Sequence, residues 1–300
     1  MAMIEEFGAP FISGSALAFG LVVGSFLNVV IHRLPLGESV VSPRSRCPGC
    51  QTPISAGDNI PVLSYIALRG RCRHCGAGIS LRYPAVEAVT GILFVAMAWR
   101  FGPTPLALLF MAFAAALVAA AMIDLDHQII PDEISLGGLA VGLACVPVAT
   151  SFDTDIDYAS ALVHSGLGAL IGAGFLWSVG FFHARLSVAL GRKFSHWPGE
   201  GEALPRPGQA DYWLWFPGLG FGDVKLLAMI GAFVGPWGVL DTLLSASIIG
   251  LLVGVIWGLI RRDLSSPFGF GPALAVGAIF SVFVPLQELW LRFLVAGASS

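Results

Sequence analysis

Long apolar stretches alternate with polar ones along this chain. The apolar runs fall at about 10–31, 84–99, 105–123, 133–149, 160–183, 224–240, 242–260 and 272–291. A helix needs roughly 17 to 25 residues to cross the hydrocarbon of a bilayer. The pattern therefore predicts an all-α polytopic membrane protein of about eight transmembrane helices. Two longer polar stretches interrupt it, at about 32–83 and 184–221. The expected organisation is a first transmembrane helix at 1–31, a small cytoplasmic domain at 32–83, and a seven-helix membrane domain at 84–300 with a cytoplasmic loop at 184–221.

Composition sharpens this reading. The chain is 56% hydrophobic and 12% charged, about half the roughly 25% charge of an ordinary soluble domain. Its mean hydropathy is +0.82. Glu5 and Glu6 stand where a cleavable signal would carry Lys or Arg, so the first run is expected to remain as a helix. If eight helices alternate, fourteen of the sixteen basic residues, from Arg33 to Arg262, share one side. Only Arg100 and Arg292 fall opposite. The basic side belongs in the cytoplasm, which predicts that both termini lie outside it. The net charge of -3 adds little, because topology follows the placement of Lys and Arg.

Four of the five cysteines lie in the first polar stretch, as Cys47-Pro-Gly-Cys50 and Cys72-Arg-His-Cys75, with 21 residues between the pairs. Each pair can give two thiolates to one tetrahedral ion. Two disulfides are the competing reading, disfavoured by the reducing compartment assigned to this segment. Zinc is the expected metal. About 50 residues with few large apolar side chains build little core, so the metal is expected to supply much of the fold. Gly49 and Gly76 stand where a knuckle turn needs positive φ. A site closed by four sulfurs keeps no position for water, so its role is structural and the chemistry must come from elsewhere.

Asp124, Asp126, Asp132 and Glu133 cluster where one apolar run ends and the next begins. Asp124 directly follows Ala-Ala-Ala-Met-Ile and is the deepest of them, whereas Asp132 suits the first turn of a helix that begins at Pro131. Asp126 lies closer to water. Asp223 follows Gly218-Leu-Gly220-Phe-Gly222, whose glycines allow close approach of backbone and substrate. A membrane carboxylate costs several kcal/mol unless something uses it. Two acids at one membrane face can share a proton, one acting as base toward water and the other as acid toward a carbonyl, as in aspartic proteases. Each could instead cap a helix or pair with Lys225 or an arginine.

Glu87, within an apolar run, is either functional or snorkels to the surface. Lys225 either tunes Asp223 or reaches the headgroups. Asn28, His32 and Arg33 either contact the substrate or anchor the end of the first helix at the interface, and Gly24, Gly166, Gly168, Gly172 and Gly174 read as close helix packing.

The chain closely resembles the type IV prepilin peptidases, the bifunctional leader peptidase and N-methyltransferase family. The resemblance runs through Gly24 to Pro35, the two Cys-x-x-Cys pairs, Asn59 to Tyr65, Ile79 to Glu87, Ile123 to Asp132 and Gly220 to Lys225. It implies that Asp124 and Asp223 are catalytic, with Gly220, Gly222, Lys225 and Glu87 in support. It also implies that Cys47, Cys50, Cys72 and Cys75 bind zinc. The implied reaction removes the short basic leader of prepilins and type II secretion pseudopilins at the cytoplasmic face of the inner membrane, then methylates the exposed amino group with S-adenosylmethionine. The expected partners are these substrates and membrane lipid, with no nucleic acid. Two readings compete with this one, a proton-coupled transporter with acids near mid-membrane and a non-enzymatic factor of pilus or secretion assembly. The loop at 184–217 is longer than the family leads one to expect. No strand, Gly-x-Gly turn and helix mark a dinucleotide fold, so the methyl-donor site is unassigned by sequence.

Overall fold

The computed structural model of the protein describes residues 2–191, 204–214, 216–217, 219–261 and 269–286. Among the described residues the secondary structure is helical, with three isolated bridges and no sheet. The chain forms two compact units, Met1–His127 and Gln128–Ser300.

The first unit is built on α1 (Ala2–Arg33), α3 (Arg82–Phe101) and α4 (Pro105–His127), with the short α2 (Leu63–Ala67) in the polar segment between α1 and α3. Helix α1 packs on α3 almost backbone to backbone. A Cβ at Gly24 would stand 2.6 Å from Glu87 Cα, and one at Gly20 would stand 2.8 Å from Gly91 Cα. Apolar attraction between helices is weak in lipid, so small residues that allow such approach supply the packing. Helix α4 adds the buried Phe113, Ala114, Leu117 and Ala120. Arg33 anchors the chain leaving α1 by donating to the Ser39 and Pro43 carbonyls at 2.9 and 2.8 Å. Asn28 donates to the Tyr83 carbonyl at 3.1 Å and ties α1 to the start of α3.

The second unit comprises α5 (Asp132–Asp153), α6 (Tyr158–Ala189), α7 (Ala210–Leu214), α8 (Phe221–Arg261) and α9 (Gly271–Phe283). Asp157 starts α6 as its N-cap, accepting from the Ser160 amide at 2.9 Å. Helices α6 and α8 meet at glycines: a Cβ at Gly168 would stand 2.0 Å from the Gly231 carbonyl oxygen, and one at Gly172 would stand 2.4 Å from that of Leu227. Gly166 and Gly174 have nothing within 4 Å, so they take no part in this contact. Helix α7 docks on α6 through stacked rings. Trp177 and Trp213 are nearly parallel at 6.2 Å, the Arg185 guanidinium lies 3.7 Å from the Tyr212 ring centre, and the Trp177 indole donates to the Trp213 carbonyl at 2.8 Å.

The expectation of eight spans is not confirmed. Six helices are long and apolar enough to cross a membrane among the described residues. The runs at 224–240 and 242–260 fall within one element, α8, whose 41 residues are broken at Gly235 with φ 70° and ψ -176°. At about 1.5 Å per residue α8 is far longer than a bilayer core of about 30 Å. The break is where the His164 ring packs, 1.8 Å from the position a Cβ would take. The last run yields only the 13 residues of α9, and residues 287–291 of it lie outside the described residues. In the expected loop at 184–221, α6 extends to Ala189 and α7 covers part of the remainder. Residues 192–203, 215 and 218 of that loop, with Trp197, Pro198 and Trp215, lie outside the described residues, as does Arg292.

Candidate active site and metal centre

The two Cys-x-x-Cys segments fold into matching knuckles. The Cys47 amide donates to the Thr52 carbonyl at 3.0 Å and the Cys72 amide to that of Ala77 at 2.8 Å, while the Gln51 and Gly76 amides return to the Cys47 and Cys72 carbonyls. The turn requires a left-handed residue, which is Gly76 at φ 72° in the second knuckle but Gln51 at φ 56° in the first. Gly49 does not fill the conformational role expected of it. Its missing side chain leaves room for the second knuckle, since a Cβ there would stand 3.2 Å from the Ala77 Cβ and 3.5 Å from the Cys75 sulfur.

The four sulfurs lie within 4.8 Å of one another, with Cys47 and Cys75 at 3.8 Å. A disulfide needs about 2.05 Å, and all four thiols are free. A tetrahedral ion with metal–sulfur bonds of about 2.3 Å sets its sulfurs about 3.8 Å apart. The cluster therefore fits a zinc-type site rather than a pair of disulfides. The Thr52 hydroxyl and amide lower the Cys50 thiol to about 6, which favours the thiolate a metal requires. The module is braced by Arg73, which reaches both carboxylate oxygens of Asp58 at 2.6 to 3.0 Å and holds that acid below its usual range.

Glu87 does not reach for the headgroups. It is 8% exposed and turns toward the four-cysteine module, where its Oε2 accepts the Val62 amide at 2.7 Å.

The two candidate catalytic acids belong to different units. In the first unit, Asp124 lies in the last turn of α4, 5% exposed beside the fully buried Ile123. Two residues nearer the end, Asp126 is gripped in parallel by Arg82, with Nη1–Oδ1 at 2.8 Å and Nη2–Oδ2 at 2.6 Å, and Arg82 also donates to the Met122 carbonyl. A guanidinium fork on a carboxylate is a strong, orienting pair. It fixes the end of α4 against α3 and gives Asp126 a structural role.

In the second unit, Asp223 is half-buried in the first turn of α8, and its amide donates to the Gly220 carbonyl at 3.1 Å. Neither Gly220 nor Gly222 has positive φ, so closeness explains these glycines better than backbone freedom. A Cβ at Gly220 would stand 3.5 Å from Asp223 Oδ2, and one at Gly222 would stand 3.2 Å from the Ile130 Cβ. Lys225 forms an ion pair with Asp132 at the start of α5 and lies over the Phe221 ring. Asp132 and Lys225 thus pair α5 with α8, which the sequence reading of either residue alone did not anticipate.

One buried acid escaped the sequence reading. Asp241 in α8 is 5% exposed and accepts the Leu286 amide at 3.1 Å, tying down the chain beyond α9. Its position at the seam of two apolar runs was the available signal.

Comparison with known proteins follows the same division of the chain. A family model described as the bacterial peptidase A24 N-terminal domain matches residues 18–101, and one described as the type IV leader peptidase family matches residues 111–255. The chain is similar to a prepilin leader peptidase/N-methyltransferase of Stutzerimonas stutzeri, 36% identical over 87% of this chain and 86% of the relative. Proteins of the same description from Myxococcus xanthus and Neisseria gonorrhoeae are 37% and 31% identical, covering 95% and 94% of this chain and 77% and 93% of their own lengths. No solved structure matches the chain.

Proposed function

The chain belongs to the type IV leader peptidase family, and on that basis we propose that it is an aspartic endopeptidase of the bacterial inner membrane. It removes the leader of type IV prepilins and type II secretion pseudopilins at the cytoplasmic face, then N-methylates the new amino terminus. The observation that carries this is likeness to prepilin leader peptidase/N-methyltransferases along nearly the whole chain, with both acid-bearing segments inside the matched 111–255.

Asp124 and Asp223 carry the hydrolysis in this reading. Two carboxyl groups that share a site hold one proton between them, because a second negative charge there is costly. The ionised member takes a proton from water as its oxygen attacks the scissile carbonyl, and the protonated member donates to the carbonyl oxygen. The C–N bond then breaks as the departing nitrogen is protonated. Support comes from the burial of Asp124 and from the closeness of Gly220 to the Asp223 carboxylate. In this reading Asp126 and Asp132 serve as the ion-pair partners of Arg82 and Lys225. All these acids lie at helix ends, where a mid-membrane proton relay would not place them.

The segment 32–83 is read as a zinc domain, with Cys47, Cys50, Cys72 and Cys75 closing the ion's shell. The ion stabilises the fold and leaves the peptide chemistry to the acids. S-adenosylmethionine, when bound, supplies an electrophilic methyl group. The test is to incubate the purified full chain with a prepilin and S-adenosylmethionine and to weigh the pilin amino terminus. The reading predicts loss of the leader and a gain of one methyl group. An intact leader would refute it.

A further inference from the structure

One side of α6 carries Trp177, Gly180, Phe181, Ala184 and Arg185, whose three- and four-residue spacing lines them up along the helix. Helix α7 and the residues after it are seated there. Trp213 stacks nearly parallel on Trp177 at 6.2 Å and on Phe181 at 5.4 Å, and Phe216 meets both of those rings edge-on, at 6.4 and 6.2 Å. Offset stacks and edge-to-face pairs at such distances are the favoured arrangements of aromatic rings. The Arg185 guanidinium lies 5.0 Å from the Phe181 ring centre and donates to the Tyr212 carbonyl. The Trp213 indole donates in turn to the Pro207 carbonyl at 3.0 Å.

This ring clamp leads directly to Asp223. Phe216 and Leu219 pair as an antiparallel bridge, and both rest on Gly180, where a Cβ would stand 2.7 Å from the Phe216 ring and 2.8 Å from Leu219 Cδ2. Gly220 follows Leu219, and its carbonyl accepts the Asp223 amide, so it opens the helical turn that carries the carboxylate. On another side of that turn, Gly222 lies against Ile130. The first turn of α8 is thus held between Ile130 and a segment seated on α6. The body of α8 has its own support on α6 further along, where Gly168 meets Gly231 and Gly172 meets Leu227. Those contacts join α6 to α8 without the rings. What the rings add is control over the residues just ahead of Asp223.

We propose that the clamp of Trp213 and Phe216 on Trp177 and Phe181 is a positioning device for peptide hydrolysis, and that Trp213 is a positioning residue acting on Asp223 through the Phe216–Leu219 pair. The inference rests on the reading of Asp223 as a catalytic acid and deepens it. An acid that must share a proton and meet a water depends on its placement, and a misplacement of about 1 Å can cost about 10²-fold in rate. Gly220 and Gly222 flank the start of α8 and bring no side chains to hold it. Rigid rings carried by α6 supply the hold they lack. A purely structural clamp predicts lost stability with unchanged turnover in the chains that stay folded, whereas a positioning clamp predicts lost turnover in those same chains.

The test is the steady-state kinetics of leader removal from a purified prepilin by the full chain in lipid vesicles, as wild type, Trp213→Ala and Trp213→Phe, with circular-dichroism melting as the measure of folded chain. Trp213→Ala is expected to lower kcat per folded chain roughly 10- to 100-fold with KM little changed. Trp213→Phe keeps a ring to stack and is expected to recover most of that loss. Should Trp213→Ala fail to fold, Gly180→Ala decides instead, because its methyl must displace the Phe216–Leu219 pair; kcat should then fall about 10-fold at unchanged KM. A lower melting temperature with wild-type kcat overturns the proposal and leaves the rings a structural role. A raised KM with unchanged kcat overturns it too and places the segment in substrate binding. Trp213→Phe as slow as Trp213→Ala overturns stacking as the cause. A wild-type chain that does not cleave, or an Asp223→Asn chain that cleaves normally, overturns the reading of Asp223 itself and the proposal with it.

Discussion

Four glycines on α6 offer a test in which one chemical change should act in opposite directions. Gly168 and Gly172 press on α8, whereas Gly166 and Gly174 face open space. A methyl group at Gly168 would stand 2.0 Å from the Gly231 carbonyl oxygen and 2.7 Å from the Gly235 Cα. Real Cβ contacts below 3.0 Å are essentially unknown, so α8 must retreat by about an ångström. Its obstacle is backbone, which cannot rotate away as a side chain would. Overpacking of this kind costs about 1 to 3 kcal/mol. It outweighs the gain of roughly 0.4 to 1 kcal/mol that Gly→Ala brings in a compatible helix by restricting the unfolded chain. Gly168→Ala is therefore expected to lower stability by about 1 to 2 kcal/mol, and Gly172→Ala to follow it. Gly166→Ala and Gly174→Ala should leave stability unchanged or raise it by up to about 1 kcal/mol. The assay is reversible unfolding of the four variants in one detergent, followed by tryptophan fluorescence. Because Asp223 sits on α8, the helix that must retreat, Gly168→Ala should also slow leader cleavage. Equal stability for all four variants would refute the backbone contact between α6 and α8.

Arg82→Ala and Asp126→Asn, alone and combined, should show a coupling of about 0.5 to 1 kcal/mol in unfolding. The pair is about a third exposed on each side and is screened accordingly; additive losses would mean that the fork is not formed in solution. Chelation, or Cys72→Ser, should unfold the 32–83 module and release about one zinc per chain, read by a colorimetric zinc indicator. Retention of the module's protease resistance without metal would contradict the structural role. Zinc retention should also depend on pH in a definite direction. Protons compete with the ion for the four thiolates, so zinc should stay bound at mildly alkaline pH and leave on acidification, and loss on raising the pH would reverse the assignment.

Much of this architecture was legible because the bilayer allows few solutions. Apolar length reported α1, α3, α4, α5 and α6 with errors at the ends, as in the stretch from Ala184 that carries α6 past Arg185 to Ala189. Hydropathy does not report bends, however. The runs at 224–240 and 242–260 gave no sign that they would join through Asp241 into one element, or that the first would break at Gly235, where the His164 ring of another helix packs. The metal site was legible from spacing alone, since two short loops with paired thiols have few uses. Which residue takes positive φ was not: Gln51 took the role expected of Gly49, because contact with the second knuckle set the requirement at Gly49. Glu87 was visible as an anomaly, but its partner is a backbone amide, and side-chain identity does not encode such partners. The ion pairs Arg82–Asp126 and Lys225–Asp132 join residues 44 and 93 positions apart, beyond any local pattern.

The claim on which the functional account depends is that Asp124 and Asp223 act together in hydrolysis. The most direct measurement is the rate of leader removal from a purified prepilin by Asp124→Asn and Asp223→Asn chains in lipid vesicles, with zinc content matched to wild type. Both variants are expected to lose cleavage by several orders of magnitude, and the double variant to be no slower than either single one, as for residues that work as a unit. Cleavage at the wild-type rate by either folded variant would contradict the account.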